Sequence, residues 1–447
     1  LESTKKLAIG IDDTDSLNGG CTTFVAYSVM KAVTSDHRAK IIDYPYLIRL
    51  NPNYPPKTKG NGAVKISLQL DNQVDLETIG EMVADVVRDR SRINDEGTEP
   101  AIAFANDLRR DGSLTDFYRL ALTSVLQPKA AVELAEKHHV DLLFLKDSDK
   151  GAVGAMAALG ADLSGDHTYE LLAYRDEKMW GKPRKIDKES VITMDHATSP
   201  LTFNNYDYAH KRVLITPHGP DPILVGIRGE TPDVLLGALE MVRFQEAISG
   251  YAVFKTNQGT DAHFKAFHEG HPEELAVHSV ACVSGKVTRG PEAIRGGHVL
   301  FSVGGGDQEI PVICFAESGE LTREIRKLER GDFVEVCGGT RERGRTLCLN
   351  LERLDLIRVA TKRITRPPIC PDCGKRCKSK GLRQGYACPK CGRALRQPQT
   401  VELERNVKPG TYLPDAGAMR HLSKPLSRRG LEKGPQQATP LMDGWFK

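Results

Sequence analysis

Four cysteines constrain one stretch of this chain more tightly than any other feature. Cys370-x-x-Cys373 and Cys388-x-x-Cys391 stand fourteen residues apart. Each pair can clasp one side of a tetrahedral ion while the linker forms a hairpin. Four thiolates leave no open coordination position, which describes structural Zn²⁺ rather than a catalytic metal. Pro371, Gly374, Pro389 and Gly392 supply the tight turns that such knuckles need. Cys377 lies in the same segment and is expected to be a bystander, with competition as a ligand the alternative. Metal-ligand spacing of this kind argues against a secreted disulfide framework, and so for a reducing, cytoplasmic location.

The ribbon is also basic. From Arg358 to Lys408 there are fourteen Lys or Arg against three Asp or Glu, although the whole chain carries only +3. Clustered basic charge is the electrostatic footprint of phosphate-backbone binding. At 447 residues, with 40% hydrophobic and 27% charged residues, the chain has the composition of a globular protein of about three or four domains. It has no apolar run of about eighteen residues and no signal-peptide pattern, so neither a membrane span nor secretion is expected.

At the other end, the apolar segment Leu7–Ile11 runs directly into Asp12, Asp13 and Asp15, then Gly19-Gly20-Cys21-Thr22-Thr23. Close carboxylates repel one another unless a cation offsets them. Hard oxygen ligands at a strand end suit Mg²⁺, which usually arrives with substrate phosphates. The alternative is a solvated turn with a threonine capping the next helix. Three loops combine cations with glycine, as anion-binding backbone does: Lys57–Gly62, Lys150–Gly154 and Arg228-Gly229. None fits G-x-x-x-x-G-K-[ST], so an ordinary P-loop is excluded. Asp166, His167 and Glu170 form a further polar cluster, suited either to a cationic substrate or to surface ion pairs.

Periodicity predicts strands at Lys6–Ile11, Ile41–Leu50, Ala63–Leu70, Val140–Leu145, Tyr169–Tyr174, Val213–Ile215 and Val225–Gly229. It predicts helices at Val25–Thr34, Leu76–Ser91 and Pro128–His138, and from Thr231-Pro232 through Ala247. Lys150–Gly160 reads as a helix of small residues, closely approached by backbone or ligand. These units point to α/β or ferredoxin-like layering. From Ala276 five strands with one helix between the third and fourth match an OB-fold. Lys408–Lys447 reads as an extended basic arm that orders on contact.

Taken together, the strings Ile9-Gly10-Ile11-Asp12-Asp13-Thr14-Asp15, Gly20-Cys21-Thr22-Thr23, Lys57-Thr58-Lys59-Gly60-Asn61-Gly62-Ala63 and Gly219-Pro220-Asp221-Pro222 with Gly226-Ile227-Arg228-Gly229 resemble the archaeal TiaS family, the tRNA(Ile)-2-agmatinylcytidine synthetases. The resemblance spans essentially the whole chain. It implies an atypical kinase domain (1–62 and about 137–200), a ferredoxin-like domain (63–136 and about 201–275), an OB-fold (276–358), a zinc ribbon (359–407) and the basic tail (408–447). It implies action on the isoleucine tRNA with a CAU anticodon, whose wobble cytidine becomes 2-agmatinylcytidine and reads AUA instead of AUG. In the family, ATP is split to AMP with loss of both remaining phosphates. Cytidine O2 is phosphorylated, then displaced by agmatine.

By the same resemblance, Asp12, Asp13 and Asp15 bind Mg²⁺ and triphosphate, and Thr22 is the autophosphorylated threonine, with Thr23 beside it as an alternative. Lys59, Gly60, Asn61, Gly62, Arg228 and Gly229 meet the phosphates. The implied cofactors are ATP, Mg²⁺ and structural Zn²⁺. No membrane and no obligate protein partner are implied. Two other readings stay open on the residues alone: a non-catalytic nucleic-acid-binding protein, and a kinase acting on another RNA or a small molecule.

Overall fold

The computed structural model describes residues 5–35, 39–55, 57, 60–106, 112–266, 275–305, 308–435 and 439–447. Lys59, expected to meet a phosphate, lies outside these residues. The N-terminal half is built on one ten-stranded sheet. Its first part holds β1 (Lys5–Asp12), β2 (Ala39–Ile41), β3 (Tyr46–Arg49), β4 (Gly62–Leu70), β5 (Ala101–Asn106) and β6 (Asp141–Phe144). The second part holds β7 (Thr168–Arg175), β8 (Thr202–Phe203), β11 (Ile223–Gly229) and β12 (Ile248–Thr256). The two-residue strands β9 (Tyr206–Asp207) and β10 (Arg212–Val213) pair apart from it. The order is β6-β5-β1-β4-β3-β12-β7-β11-β8. A parallel join, Lys255↔Tyr46 and Thr256↔Leu47, fuses the two parts.

Helices cover both faces. On one lie α1 (Thr22–Ser35) and α2 (Leu76–Arg90), packed together, with a core that includes Ile9, Val25, Val29 and Val83. Helix α2 follows from its sequence: Ile79, Val83 and Val87 recur every four residues on the buried side, and the Asp75 carboxylate accepts the Glu77 N–H at 3.3 Å. On the other face lie α3 (Gly112–Thr123), α4 (Pro128–His138) and α5 (Ala152–Gly160), packed on Ala103, Ala105, Ile48 and Leu50. Every residue of β7 is buried, as a central strand covered on both faces requires. Around the second part lie α6 (Lys188–Thr198), α7 (Pro232–Met241) and the short α8 (Ala262–Ala266).

The small residues of α5 have a use. A Cβ on Gly10 of β1 would fall 2.3 Å from the Ala155 carbonyl oxygen, so strand and helix backbones touch. The expectation of a closely approached helix is met.

Residues 280–358 form a closed five-stranded barrel: β13 (Val280–Ala293), β14 (Val299–Gly305), β15 (Gln308–Cys314), β16 (Phe333–Arg343) and β17 (Thr346–Arg358), with α9 (Glu320–Ile325) between the third and fourth. Parallel pairing of Val312 with Leu349 closes it. The ribbon follows, with β18 (Lys362–Arg366), β19 (Lys378–Ser379), β20 (Tyr386–Ala387), β21 (Ala394–Leu395) and β22 (Gln399–Leu403).

Several expectations need correction. Ile41–Leu50 is two strands, because Pro45, which has no N–H to offer a ladder, interrupts it. The helix at Pro232 ends at Met241 rather than Ala247. Periodicity missed β5, α3, α6 and β12. Cys282 and Cys337, adjacent across β13 and β16, form a disulfide. They stand 55 residues apart, so only strand register brings them together.

The tail is extended, but what orders it is the chain itself. Its strand β23 (Gly410–Tyr412) joins the barrel at β17. Leu422 is buried beside Tyr46, Ile48 and Leu50. Arg428 has no exposed side-chain surface and pairs with Asp166 at 2.6 Å and Glu230 at 2.6 Å. Trp445 packs into the first core, and the Lys447 carbonyl accepts the Tyr27 hydroxyl at 3.0 Å.

Candidate active site

Strand β1 delivers Asp12 at its C-terminal end. A Cβ on Gly154 would fall within 1.7 Å of Asp12 Oδ2, so glycine in the first turn of α5 is what lets the carboxylate lie there. Asp13 follows in the left-handed region, at φ +56°, a conformation that non-glycine residues adopt mainly at turns and functional sites. Its Oδ2 is 3.0 Å from Lys150 Nζ. Asp15 turns to the N-terminus of α1, where its Oδ1 accepts the Thr22 N–H at 2.7 Å and the Thr22 hydroxyl at 3.1 Å. The Thr14 hydroxyl donates to Thr22 Oγ1 at 3.1 Å. Gly19 and Gly20, at φ +133° and +82°, make the turn that brings Thr22 back to Asp15.

All three aspartates, with Thr22, Asn61, Gly62 and Lys150, line one small cavity of about 40 Å³. Burial, with the charges of Asp13 and Asp15, pushes the Asp12 carboxyl well above its usual range. Burial raises Asp13 to about 6 against the opposing pull of Lys150. The three carboxylates do not form a preassembled cage: among the described residues, they do not bring one oxygen each within 4.8 Å of one another. Mg²⁺ usually takes one or two carboxylates plus phosphate oxygens and waters, so this donor set fits that ion when it arrives with a phosphate.

A second chamber of about 300 Å³ adjoins the cavity and shares Asp15, Thr22 and Gly62 with it. Its lining includes Arg49, Glu170, Asp221, Arg228 and His421. Arg228 Nε donates to Glu170 Oε1 at 3.1 Å, and Arg49 approaches Glu170 at 3.9 Å. Gly226 keeps the floor low: a Cβ there would meet Glu170 Oε1 at 3.1 Å. Arg184 braces the Asp221 loop by donating to the carbonyls of Pro217 (2.8 Å), Gly219 (2.9 Å), Asp221 (2.9 Å) and Ile223 (2.7 Å).

Sequence reading thus named most of the acidic cavity. Gly60 and Gly62 line the second chamber, and Asn61 lines the first, where its Nδ2 also ties the turn to the Asn51 carbonyl at 2.8 Å. Gly229 lines neither; it packs where a Cβ would sit 2.7 Å from the Leu201 carbonyl. The polar cluster divides: Glu170 faces the chamber, whereas Asp166 is spent on Arg428 and Lys424. Arg49, Arg184 and His421 were missed. Each falls outside the motifs and carries no local pattern of its own.

The ribbon cysteines meet as spaced. Cys370, Cys373, Cys388 and Cys391 place their sulfurs within 4.8 Å of one another. Gly374 N–H donates to the Cys370 carbonyl at 2.9 Å, and Gly392 N–H to that of Cys388 at 3.0 Å, forming two matching knuckles. Four convergent sulfurs fit a tetrahedral zinc ion. Cys377 is buried beside them but outside the set.

Three family models match the chain: the TiaS TCKD domain over residues 8–147, the TiaS FLD domain over 149–263 and the TiaS C-terminal zinc ribbon domain over 367–407. The tRNA 2-agmatinylcytidine synthetase TiaS of Archaeoglobus fulgidus is 36% identical, covering 95% of this chain and 98% of the relative. Among solved structures, a complex of TiaS with an isoleucine tRNA and ATP is similar at TM-score 0.83 and 35% identity. A complex of TiaS with the same tRNA, AMPCPP and agmatine is similar at 0.81 and 34%. Each covers 95% of this chain and 97% of its own. Three matched domains, and identity sustained from the acidic cavity to the cysteine ribbon, establish that the chain belongs to the TiaS family.

Proposed function

We propose that the chain is an ATP-dependent ligase that joins agmatine to the wobble cytidine of the CAU-anticodon isoleucine tRNA. The observation that carries this reading is the continuity of two unlike spaces. An acidic cavity suited to a metal-bound triphosphate opens, past Asp15 and Thr22, onto a larger chamber lined by Glu170 and Asp221. Phosphoryl transfer and amine attack need these two environments side by side.

The chemistry explains why both are needed. The O2 oxygen of cytidine is a poor leaving group. Phosphorylating it turns the departing group into phosphate. The agmatine nitrogen then bonds to C2 as the C2–O2 bond breaks, the amine loses a proton, and O2 leaves with the phosphate. Asp12, Asp13 and Asp15 would hold Mg²⁺, which neutralises charge on the transferring phosphoryl oxygens. Lys150 orients Asp13. Asp15 holds Thr22 by both amide and hydroxyl, whereas the Thr23 hydroxyl pairs with Cys21 Sγ at 2.9 Å. This favours Thr22 over Thr23 as a phosphate acceptor, with Asp15 placed to take its proton. Asp221 supplies a carboxylate of the kind that a guanidinium or ammonium requires, whereas both oxygens of Glu170 are already bonded, to Arg228 and Gln258. The barrel and ribbon would hold the tRNA by its backbone, with the base extruded into the cleft.

The test is mass spectrometry of tRNA nucleosides after incubation with ATP, Mg²⁺ and agmatine. The expected product is a wobble cytidine carrying agmatine, absent when any one reagent is withheld. An unchanged cytidine with all reagents present would defeat the reading.

A further inference from the structure

A third space, of about 670 Å³, lies between the N-terminal sheet, the barrel and the C-terminal strap. It shares Arg49, Gly60 and His421 with the second chamber, and Lys57 with the acidic cavity. Among the described residues, three cations face it: Arg49 from β3, Lys57 from the following turn and Arg420 from the C-terminal strap. The carboxylates on its wall are Glu352 and Glu317 of the barrel. Glu317 is 75% exposed. Glu352 is 3.9 Å from Arg420 Nε and 3.4 Å from His263 Nε2. Glu170, near Arg49, is taken by Arg228 and Gln258. Arg49 Nε is buried and makes no hydrogen bond.

The cluster is only loosely compensated: the ion pairs of Arg420 with Glu352 and of Arg49 with Glu170 are both 3.9 Å long, Lys57 Nζ donates to the Pro52 carbonyl, and Arg49 Nε has no acceptor. Burial, and then the Arg420 charge, lower the Lys57 ammonium to about 8. Arg49 and burial, followed by Arg228, Arg420 and Lys57, hold the His421 imidazole well below its usual range, so it is neutral. Cations crowded this way destabilise one another unless an anion joins them. The cluster is nevertheless fixed in place. Gly259 and Asp261 donate their N–H groups to the His421 and Leu422 carbonyls at 2.8 Å, and Lys424 N–H donates to Asp261 Oδ1 at 2.7 Å. Gly60 leaves the space open: a Cβ there would fall 2.6 Å from Arg49 Nη1 and 3.7 Å from His421 Nε2.

We propose that Arg49, Lys57, Arg420 and His421 form a binding site for a phosphate ester of a nucleotide, one wall of which is the C-terminal strap. The inference rests on the function proposed above, and its ligand comes either from the tRNA backbone or from ATP. The cations supply charge and the neutral imidazole supplies a hydrogen bond.

R420Q is the test variant, because Arg420 is half exposed and its ion pair with Glu352 is long; R420K keeps the charge. KM is measured for ATP, tRNA and agmatine, together with tRNA binding by fluorescence anisotropy at several salt concentrations. The expected result is a rise of about tenfold in KM for one phosphate-bearing substrate, little change in kcat or in KM for agmatine, and recovery in R420K. If KM for tRNA rises and the salt slope of binding falls by about 0.7–0.9, the ester is in the tRNA. If KM for ATP rises alone, it is in ATP. Unchanged KM values for both, with the thermal midpoint retained, overturn the proposal. A wild-type protein that makes no modified cytidine, while R420Q still weakens tRNA binding, would overturn the proposed reaction and leave this site standing.

Discussion

The cysteine ribbon and the acidic cleft are both candidate ligand sites, but they are assembled in opposite ways. The ribbon gathers its four sulfurs from residues 370–391, and two local knuckles do all the positioning. The cleft gathers residues from Asp12 to His421, across a sheet, a helix N-terminus and a strap that returns from beyond the ribbon. A local site depends on its own ligands and turns. A long-range site depends on remote anchors, so damage far from the chemistry reaches it.

Four outcomes break or sharpen this contrast. The largest concerns the strap. Arg428→Ala leaves Asp166 and Glu230 buried without their central partner, at a cost of about 3–5 kcal/mol. Chemical denaturation should show that loss in the sheet while zinc content stays at the wild-type level. Next, Asp12→Asn should lower turnover by about 10²–10³-fold without lowering the thermal midpoint, since a buried, mutually repelled carboxylate is removed. Retained turnover would exclude Asp12 from the chemistry.

Cys388→Ser should release zinc to a colorimetric chelator and weaken tRNA binding by about 10–100-fold, on the scale of losing two or three phosphate contacts. ATP binding, followed by calorimetry, should be unchanged. The smallest effect is in pH. Burial pushes the Asp166 carboxyl up, but hydrogen bonds and charge from Arg428, aided by Lys265, hold it well below its usual range. Its contribution is present above about pH 4, the unfolded value, and is lost as pH falls toward the folded one. The stability gap between wild type and Arg428→Ala should therefore narrow by about 1 kcal/mol between pH 5 and pH 3.

The same contrast explains what was legible in the sequence. Spacing alone located the ribbon ligands, since both knuckles are written within four residues. The strand running into Asp12, Asp13 and Asp15 was equally readable, as was the barrel's order of strands and helix. Arg49 and His421 were not. Arg49 looks like any residue at a strand end, and only the parallel pairing of β3 with β12 places it beside Glu170 and Arg228. His421 sits in a basic, proline-rich segment with no periodicity, which composition reads as a free arm. Its anchor is Arg428 in the Asp166 and Glu230 pocket, and no local signal marks a buried arginine. Strand β12 was missed for a related reason. The helix expected to run through Ala247 ends at Met241, and read at its longer extent it left no turn ahead of Ile248 to mark where the strand with Tyr251, Ala252, Val253 and Phe254 begins.

Phosphoryl chemistry in the cleft should be independent of the ribbon. The most direct measurement is mass spectrometry of the Thr22-containing peptide after incubation with Mg²⁺ and ATP, on wild type, Cys388→Ser and Asp12→Asn. A phosphate is expected on Thr22 in the wild type and in Cys388→Ser, and none in Asp12→Asn. An unmodified wild-type peptide, or equal phosphorylation in Asp12→Asn, would contradict it.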